Sequence, residues 1–498
     1  MKATLVRMII LLILISTTAC DGILEDSVEP FRYMWTKTFS GNDSENDRVT
    51  IIDTLADHSG NVFIFGCFSE SADFNPGPET DIRDCIGTSN AFLTMIKTNG
   101  NYGWTIILSG TDASSYSSIT SCSIDYEDNI YLAGLFNGGI DFNPTQTADV
   151  RNSSRNTDCF LTKLSMNGNY SWTKVFSGTA DFDHYPHVKS DILRNVYLCG
   201  DFRGSTDFDP SSNNDPKSSR GNRDVFLTKI NMDGSYGGTM TIGGIYDETP
   251  NGISVDPCGN IYITGEFTGT VDFNPLTAVD EKTSIGSHNI FLTRINANKE
   301  YNWTKIFNAS TAIFSGNIST DTEGNIFISG QFKGTADFNP DPEFDIISSS
   351  NLDFFLTKIN SDGSYGWTSC IKTLFVQGQP YDRIFHNSLI TDIEGNIYLC
   401  GSFTGVADFD PGPEEDIQIA GDGFALFCTR INRNGKYNWS LSLDGFINYS
   451  NISIDNNRNL YIAGFFYSYT DFNPGLHSDV RNSTGISDGF LVKLSQPR

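Results

Sequence analysis

Short apolar runs recur along this chain, and turn signals rich in Gly, Asn, Asp and Pro separate them. In one stretch, Ile253 to Asp256 reads as a short strand, Pro257 to Asn260 as a turn and Ile261 to Phe267 as a second strand. Two further strands follow, at Ile290 to Ile295 and Tyr301 to Lys305. Runs of strand length bounded by such turns predict antiparallel β-structure rather than helices.

The same arrangement occurs seven times. Each copy places a glycine two residues before a phenylalanine at the end of a strand, and a corner of sequence Asp-Phe-(Asn/Asp)-Pro follows. The corners begin at Asp73, Asp141, Asp207, Asp272, Asp337, Asp408 and Asp471. Self-similarity at a period of about 65 residues predicts stacked or radial units, because one unit cannot bury its apolar face alone. We predict an all-β fold, a seven-bladed β-propeller of four-stranded antiparallel blades.

The two ends of the repeat region predict how the propeller closes. A fourth-strand motif, Tyr-x-Trp-Thr or a close variant, follows most units, but unit 7 ends at Phe490 to Leu494 without one. The missing strand precedes unit 1, at Tyr33 to Lys37. We therefore predict that this N-terminal strand completes the last blade and leaves no open edge. All six tryptophans occupy the same position of the fourth strand, and this repetition predicts that they pack in the core. Unit 3 has Gly237 and Gly238 at this place instead of a tryptophan, which predicts either a notch or a repacked neighbour.

The first twenty residues differ from the rest. Lys2 and Arg7 precede an apolar run from Met8 to Ile15. This run is shorter than the roughly 20 residues that a membrane-spanning helix needs. The layout is that of a secretory signal peptide. The junction at Cys20 resembles the lipobox of bacterial lipoproteins, although Thr17 stands where Leu is commonest. We predict a lipoprotein-type signal peptide over residues 1–20 with lipidation at Cys20, a linker over 21–32 and the propeller over 33–498.

Two runs carry a resemblance to a known family. Gly259 to Gly265 and Asp224 to Ile230 resemble the bacterial seven-bladed β-propeller repeat family known as SBBP, and the likeness extends over about residues 33–494. The resemblance implies the propeller fold and an exported or surface protein. It implies no particular reaction.

The net charge of the chain limits the classes of partner that it can bind. The chain has 60 acidic and 33 basic residues, a formal net charge of −27. Such a surface repels phosphate backbones, which excludes nucleic acid as a partner. It also disfavours broad adhesion to anionic lipids, so we expect membrane contact only through the lipid anchor.

The nine cysteines after Cys20 are interpreted as small buried hydrophobic residues. Cys67 with Cys85 is the one local pair to test for a disulfide.

Three sets of polar residues are candidates for chemistry. The corner aspartates could bind Ca²⁺, helped by pairs such as Glu79 and Asp81, but a turn cap beside a buried phenylalanine is the favoured interpretation. A basic residue at the end of the third strand is read as a solvated strand end rather than an anion-binding ring. It occurs at Lys163, Lys229, Arg294, Lys358, Arg430 and Lys493, with Met95 in unit 1. The tightest histidine cluster, His184 and His187 beside Asp183, contains Pro186, which argues against a metal site.

No nucleophile elbow, phosphate-binding loop or dinucleotide fingerprint occurs in the sequence. We therefore predict no catalytic residue, no metal ligand and no cofactor, with Ca²⁺ as the open exception. These observations favour an exported, lipid-anchored, monomeric propeller that binds protein or glycan partners at the cell envelope. The alternatives are a polysaccharide lyase or hydrolase with acidic residues at the channel mouth, and a purely structural envelope protein.

Overall fold

The computed structural model describes residues 31–496 except 42–46, 145–146, 155–156, 181, 183–185, 212, 275, 277, 286–287, 342, 375–382, 422 and 476. The signal peptide and Cys20 therefore lie outside the described residues, as do Asp183 and His184. In the described part of the chain all named elements are β-strands. No helix long and apolar enough to cross a membrane occurs there.

The strands follow the sequence units. Before unit 1 stands β1 (Arg32–Gly41). Unit 1 contains β2 (Arg48–Ala56), β3 (Val62–Ser69), β4 (Ser71–Asp73), β5 (Ile82–Asp84), β6 (Asn90–Ile96) and β7 (Tyr102–Gly110). Unit 2 contains β8 (Tyr116–Ile124), β9 (Ile130–Asn137), β10 (Gly139–Asp141), β11 (Val150–Asn152), β12 (Asp158–Leu164) and β13 (Tyr170–Gly178). Unit 3 contains β14 (His187–Ser190), β15 (Val196–Phe202), β16 (Ser205–Asp207), β17 (Pro216–Ser218), β18 (Asp224–Ile230) and β19 (Tyr236–Gly244).

The later units continue the series. Unit 4 contains β20 (Glu248–Val255), β21 (Ile261–Phe267), β22 (Thr270–Asp272), β23 (Glu281–Thr283), β24 (Asn289–Ile295) and β25 (Tyr301–Ala309). Unit 5 contains β26 (Ala312–Thr320), β27 (Ile326–Asp337), β28 (Ile346–Ile359) and β29 (Tyr365–Leu374). Unit 6 contains β30 (Arg383–Thr391), β31 (Ile397–Thr404), β32 (Val406–Asp408), β33 (Ile417–Ile419), β34 (Ala425–Ile431) and β35 (Tyr437–Leu443). Unit 7 contains β36 (Gly445–Ile454), β37 (Asn459–Asp471), β38 (Val480–Asn482) and β39 (Asp488–Ser495).

Four strands of each unit form an antiparallel meander. In unit 4 the order is β20-β21-β24-β25, so the four strands predicted there from the sequence are confirmed. In unit 7 the order is β36-β37-β39-β1, and β1 pairs with β39 from Arg32 opposite Ser495 to Phe39 opposite Gly489. The first strands of consecutive units contact one another, and β36 contacts β2. The result is a β-propeller arrangement of small antiparallel sheets.

The two ends of the propeller differ in their connections. At one end, which we name the turn face, short turns join the first strand to the second and the third to the fourth, as at residues 256–260. At the other end, the loop face, the corner loops join the second strand to the third, and the chain passes from unit to unit.

The corner loops contain short hairpins that the sequence did not predict. In unit 1, β4 pairs with β5 and also with β1, so that Ser40 lies opposite Asp73. Equivalent pairings join β7 to β10, β13 to β16, β19 to β22, β25 to β27 and β29 to β32. Main-chain hydrogen bonds therefore connect the fourth strand of one unit to the corner of the following unit at these junctions.

Each unit buries a triangle of phenylalanines. In unit 5, Phe338 of the corner has its ring centroid 5.0 Å from Phe332 and 4.8 Å from Phe355, and all three are fully buried. The same trio recurs as Phe68, Phe74 and Phe92; Phe136, Phe142 and Phe160; Phe202, Phe208 and Phe226; Phe267, Phe273 and Phe291; Phe403, Phe409 and Phe427; and Phe466, Phe472 and Phe490. Edge-to-face and tilted rings add stabilisation beyond burial.

The tryptophans pack against the core together with the third-strand cations, although only Trp439 is buried and the other five are half-buried. Trp172 lies 6.2 Å from the Tyr131 ring of its own unit, and Lys163 stands opposite both residues with its Nζ 5.2 Å from the Tyr131 centroid. Comparable cation–aromatic contacts, at 5.1 to 6.0 Å, involve Lys229, Arg294, Lys358, Arg430 and Lys493. These side chains are not simply solvated strand ends, because they cover aromatic rings.

Unit 3 lacks its tryptophan, and the neighbouring unit fills the space. Elsewhere a tryptophan packs against a turn glycine of the next unit, as Trp303 does against Gly363. At Gly238 the facing turn of unit 4, between β24 and β25, instead carries Lys299 at a positive φ of 64°. Its ammonium donates a hydrogen bond to the carbonyl of Gly237. The structure therefore shows a repacked neighbour at this position rather than an open docking notch.

The phenylalanine triangle gives a first stability prediction. We expect Phe338→Ala to lower the free energy of unfolding by about 3–5 kcal/mol, because it removes a buried ring and leaves a cavity. Phe344→Ala is the matched control, since that side chain lies six residues away and is 77% exposed. Chemical denaturation of both variants tests the expectation, and equal losses would contradict the proposed importance of the triangle.

The Lys299 contact gives a second stability prediction. Lys299→Ala keeps a residue with a Cβ at the positive φ but removes the hydrogen bond and the packing against unit 3, so we expect a loss of about 1–2 kcal/mol. Lys436→Ala, at an exposed position in the corresponding turn of unit 6, should change stability by less than about 0.5 kcal/mol. The measurement is the shift in denaturation midpoint. An unchanged midpoint for Lys299→Ala would contradict a stabilising role for the hydrogen bond and packing of Lys299.

Candidate functional site

The turn face carries a ring of aspartates that build the turns. Asp125 Oδ1 accepts the backbone N–H groups of Glu127 and Asn129 at 2.9 Å, and its Oδ2 accepts the Asn129 amide at 2.8 Å and the Tyr131 hydroxyl at 3.0 Å. Similar bonds form at Asp57, Asp191, Asp256, Asp321, Asp392 and Asp455. All seven carboxylates are buried. Their oxygens therefore hold the turns and the tyrosines rather than facing a substrate.

Two neighbouring cavities open between the first strands at this end. The larger is about 360 Å³ and is lined by residues of units 1, 2, 3 and 7, among them Leu55, Ser123 and Lys189. The smaller, about 200 Å³, is lined by Tyr126 and Ile393 among others. A concave polar pocket therefore exists on the propeller axis, with an apolar rim.

Three ionisable side chains break the repeat near the larger cavity. Four residues before the turn aspartate, unit 1 has Asp53 and unit 3 has His187, where other units have serine, asparagine or glycine. Burial raises the pKa of Asp53 to about 6, although the Thr54 N–H and the Lys189 charge work against that rise. Burial and the same lysine lower the pKa of His187 to about 4. Asp53 therefore titrates much closer to pH 7 than an exposed aspartate does, and the His187 imidazole is neutral at that pH.

The loop-face mouth of the axis is aromatic on one side. Phe314, Phe385 and Phe446 occur near the starts of the first strands of units 5, 6 and 7, and they are 39%, 36% and 37% exposed. Phe385 packs on Phe424 at 5.8 Å, and Phe465 packs on Tyr467 at 5.7 Å. These exposed rings from three consecutive units, which we name the aromatic arc, lie at the loop-face end of the axis.

Acidic residues of unit 4 lie at the same end. Glu266 Oε1 accepts the Ser315 N–H at 3.0 Å, and burial raises the pKa of this side chain. Glu248 is fully buried, and its Oε2 accepts the Gly244 N–H at 2.8 Å. Burial raises the pKa of Glu248 to about 8, with Asp224 and Asp247 adding to the shift. Glu248 is therefore mainly a neutral carboxylic acid at pH 7, a state that its sequence position gave no reason to expect.

The corner aspartates are engaged in structure. Asp73 Oδ1 accepts the N–H groups of Asn75 at 3.0 Å and Asp81 at 2.8 Å, and the Asp81 carboxylate accepts a hydrogen bond from the Tyr102 hydroxyl. The pattern recurs in every unit. In unit 7 the tyrosine is Tyr33, from β1. These bonds support the turn-cap interpretation, and Ca²⁺ binding at the corners stays the untested alternative.

The remaining candidates from the sequence do not converge. His187 lies on β14, while its two proposed partners are outside the described residues. Cys67 and Cys85 are free thiols, as are the other described cysteines. Among the residues with described positions, no three His, Cys, Asp or Glu side chains are grouped to hold a metal ion. Sequence reasoning missed Asp53, Lys189 and the aromatic arc, although alignment of the units on the turn aspartate would have marked the first two as departures.

Comparison with known proteins adds little beyond the architecture. No protein-family model matches the chain. An uncharacterized WD repeat-containing protein of Acanthamoeba polyphaga mimivirus is 25% identical over an alignment of 182 residues that covers 31% of this chain and 12% of that protein.

Solved structures give broad but distant similarity. The NanB sialidase of Streptococcus pneumoniae aligns with 95% of this chain and 73% of its own at 10% identity and a TM-score of 0.37. A protein of unknown function from Bacteroides caccae aligns with 67% of this chain and 93% of its own at 11% identity and a TM-score of 0.30. At these values the similarities carry no conclusion about ligand or reaction.

Proposed function

We propose that this protein is an exported, lipid-anchored, closed seven-bladed β-propeller that acts as a binding module for protein or glycan partners at the cell envelope. The signal-peptide layout and the lipobox-like junction at Cys20 motivate export and anchoring. The near-complete use of the chain by repeats, without a free catalytic constellation among the described residues, motivates a binding role.

Contacts between units 7 and 1 support closure. The Thr54 and Ser453 hydroxyls are 3.3 Å apart, and the Tyr461 hydroxyl donates to the Gly60 carbonyl at 3.1 Å. The Lys493 ammonium donates to the Thr98 carbonyl at 2.8 Å. Trp35 of β1 packs 6.3 Å from the Tyr461 ring, and Gly100 of unit 1 packs against it. The N-terminal strand thus makes the contacts that a fourth strand makes in other units.

The observation that carries the binding role is the exposed aromatic arc of Phe314, Phe385 and Phe446. Burying such rings is favourable by about 1.5–3 kcal/mol each, so three of them together at one end of the axis offer an apolar surface to a partner. Aromatic side chains are enriched at protein-binding hot spots, and they line ligand pockets beside a few polar groups. Glu266 and its neighbours supply such groups.

The two alternatives fit less well. A glycosidase-like enzyme needs two carboxyl groups about 5–10 Å apart that are free to act on substrate. The turn and corner aspartates accept hydrogen bonds from their own loops, and Glu248 and Glu266 at the loop-face mouth accept hydrogen bonds from backbone N–H groups. A purely structural envelope protein needs no concave polar pocket, whereas the axis contains cavities of about 360 and 200 Å³.

Closure predicts that the N-terminal strand is essential for stability. We expect Trp35→Ala to lower the free energy of unfolding by about 3–5 kcal/mol, because the ring packs between units 7 and 1. The neighbouring Met34 is 45% exposed, and Met34→Ala is expected to cost less than about 1 kcal/mol. Denaturation curves of the two variants provide the test, and a similar stability for both would argue against a ring completed by β1.

The binding role predicts that the aromatic arc determines affinity. On a glycan array and in pull-downs from envelope extract, we expect Phe314→Ala and Phe385→Ala each to weaken binding about tenfold or more. Phe344→Ala, which removes an exposed ring from a corner loop, should leave binding unchanged. Retained binding by both arc variants would exclude this surface, and an absence of any partner for the wild-type protein would argue against a binding module.

A further inference from the structure

We propose that the turn face is the docking surface for a phospholipid bilayer and that the loop face points away from the membrane. The inference rests on the proposed lipid anchor at Cys20, and it adds an orientation and a contact surface that the anchor alone does not specify. It replaces the expectation from the net charge that only the anchor contacts the membrane.

The place where the N-terminal chain joins the propeller supports this orientation. β1 begins at the turn face, because Arg32 pairs with Ser495 at the turn-face end of β39. Just before it, Phe31 packs on Trp439 at a centroid distance of 5.4 Å. The chain from the proposed anchor therefore reaches the folded body at this end.

The length of that chain limits the alternatives. The eleven residue steps from Cys20 to Phe31 span at most about 38 Å when fully extended. A first strand of nine residues such as β2 is about 30 Å tall. To bring the loop face to the membrane, the segment would have to run almost fully extended along the side of the propeller. With the turn face toward the bilayer, no such extension is needed.

The turn face exposes apolar side chains around the axis. Tyr126, Leu193 and Ile393 are 66%, 68% and 70% exposed, and Ile192 is 51% exposed. They come from the turns of units 2, 3 and 6, and Tyr126, Ile192 and Ile393 line the axial cavities. The loop face also exposes apolar residues, so exposure alone does not choose between the ends. An aromatic ring and aliphatic side chains on one end are suited to insertion at the headgroup boundary.

Charge distinguishes the two ends. The third-strand cations lie at the turn-face end of their strands, where they offset the buried turn aspartates. At the loop face each corner has two aspartates, and a basic partner pairs with the second one in five units, as Arg83 does with Asp81. The excess of acid thus lies mainly toward the loop face. When the turn face contacts the bilayer, the acidic loop face lies about 30 Å from the lipid surface, and its charges are screened at a Debye length of about 8 Å. An anionic bilayer therefore repels the protein less in this orientation than with the loop face toward it.

A natural probe tests the orientation. Cys258 is the exposed thiol among the described cysteines, and it lies in the unit 4 turn on the turn face. Burial raises the pKa of Cys67, that of Cys85 to about 11 and that of Cys370 to about 12, which makes these three half-buried thiols slow to react at neutral pH. An environment-sensitive fluorophore on Cys258 of the full chain therefore reports on this face. The control carries the label at Thr80→Cys, on an exposed corner loop, in a Cys258→Ser background.

The full chain is reconstituted with vesicles of phosphatidylcholine and phosphatidylglycerol containing headgroup spin-labelled lipid, and flotation is measured with fluorescence. We expect the protein to float, the Cys20→Ala variant to float much less, and the label on Cys258 to be quenched at least about twofold more than the label at position 80. Leu193→Ser with Ile393→Ser should reduce that quenching without reducing flotation.

The outcomes separate the two proposals. Flotation with equal quenching at both labels, or with quenching unaffected by the Leu193 and Ile393 changes, overturns the docking surface and leaves the anchor in place. Failure of the wild-type chain to float overturns the anchor, and the docking inference with it.

Discussion

The corner of each unit is the contact on which the rest of the fold depends. Its phenylalanine completes a buried triangle with rings from the second and third strands, and in unit 5 this role falls to Phe338. Its first aspartate closes the loop, and the second accepts the hydroxyl hydrogen bond of the fourth-strand tyrosine. In units 1 to 6 the short hairpin held in this way pairs with the fourth strand of the preceding unit. Packing within a unit and joining between units therefore depend on the same few side chains, as expected when single repeats are not stable alone.

Departures from the repeat fall into two classes with different consequences. Some are compensated by a neighbour: Lys299 occupies the space beside Gly238, and Met95 replaces the cation between Phe63 and Trp104. Others are not compensated and lie on the axis, such as Asp53, Lys189 and the exposed phenylalanines. Compensated departures preserve packing, whereas the uncompensated ones create cavities, shifted pKa values and exposed rings. The second class is where recognition can arise.

The two ends of the propeller suit different surroundings. The turn face has short turns, charges that largely offset one another and the entry of the N-terminal chain, while the loop face has the acidic corners and the aromatic arc. A body held to a membrane by the turn face would present the arc outward, where protein or glycan partners can reach it. The proposed anchor, docking surface and recognition surface are thus mutually consistent.

Local sequence was sufficient to predict the long strands, the register of the tryptophans and the strand that precedes unit 1, because alternation and turn residues act over a few positions. It was not sufficient for the corner hairpins, since strands of three residues such as β22 carry no periodicity. Nor could it place Lys163 against Tyr131 or show that Glu248 is buried among other acids. Those relations join residues far apart in the chain, and only the packing of strands and units brings them within reach of one another.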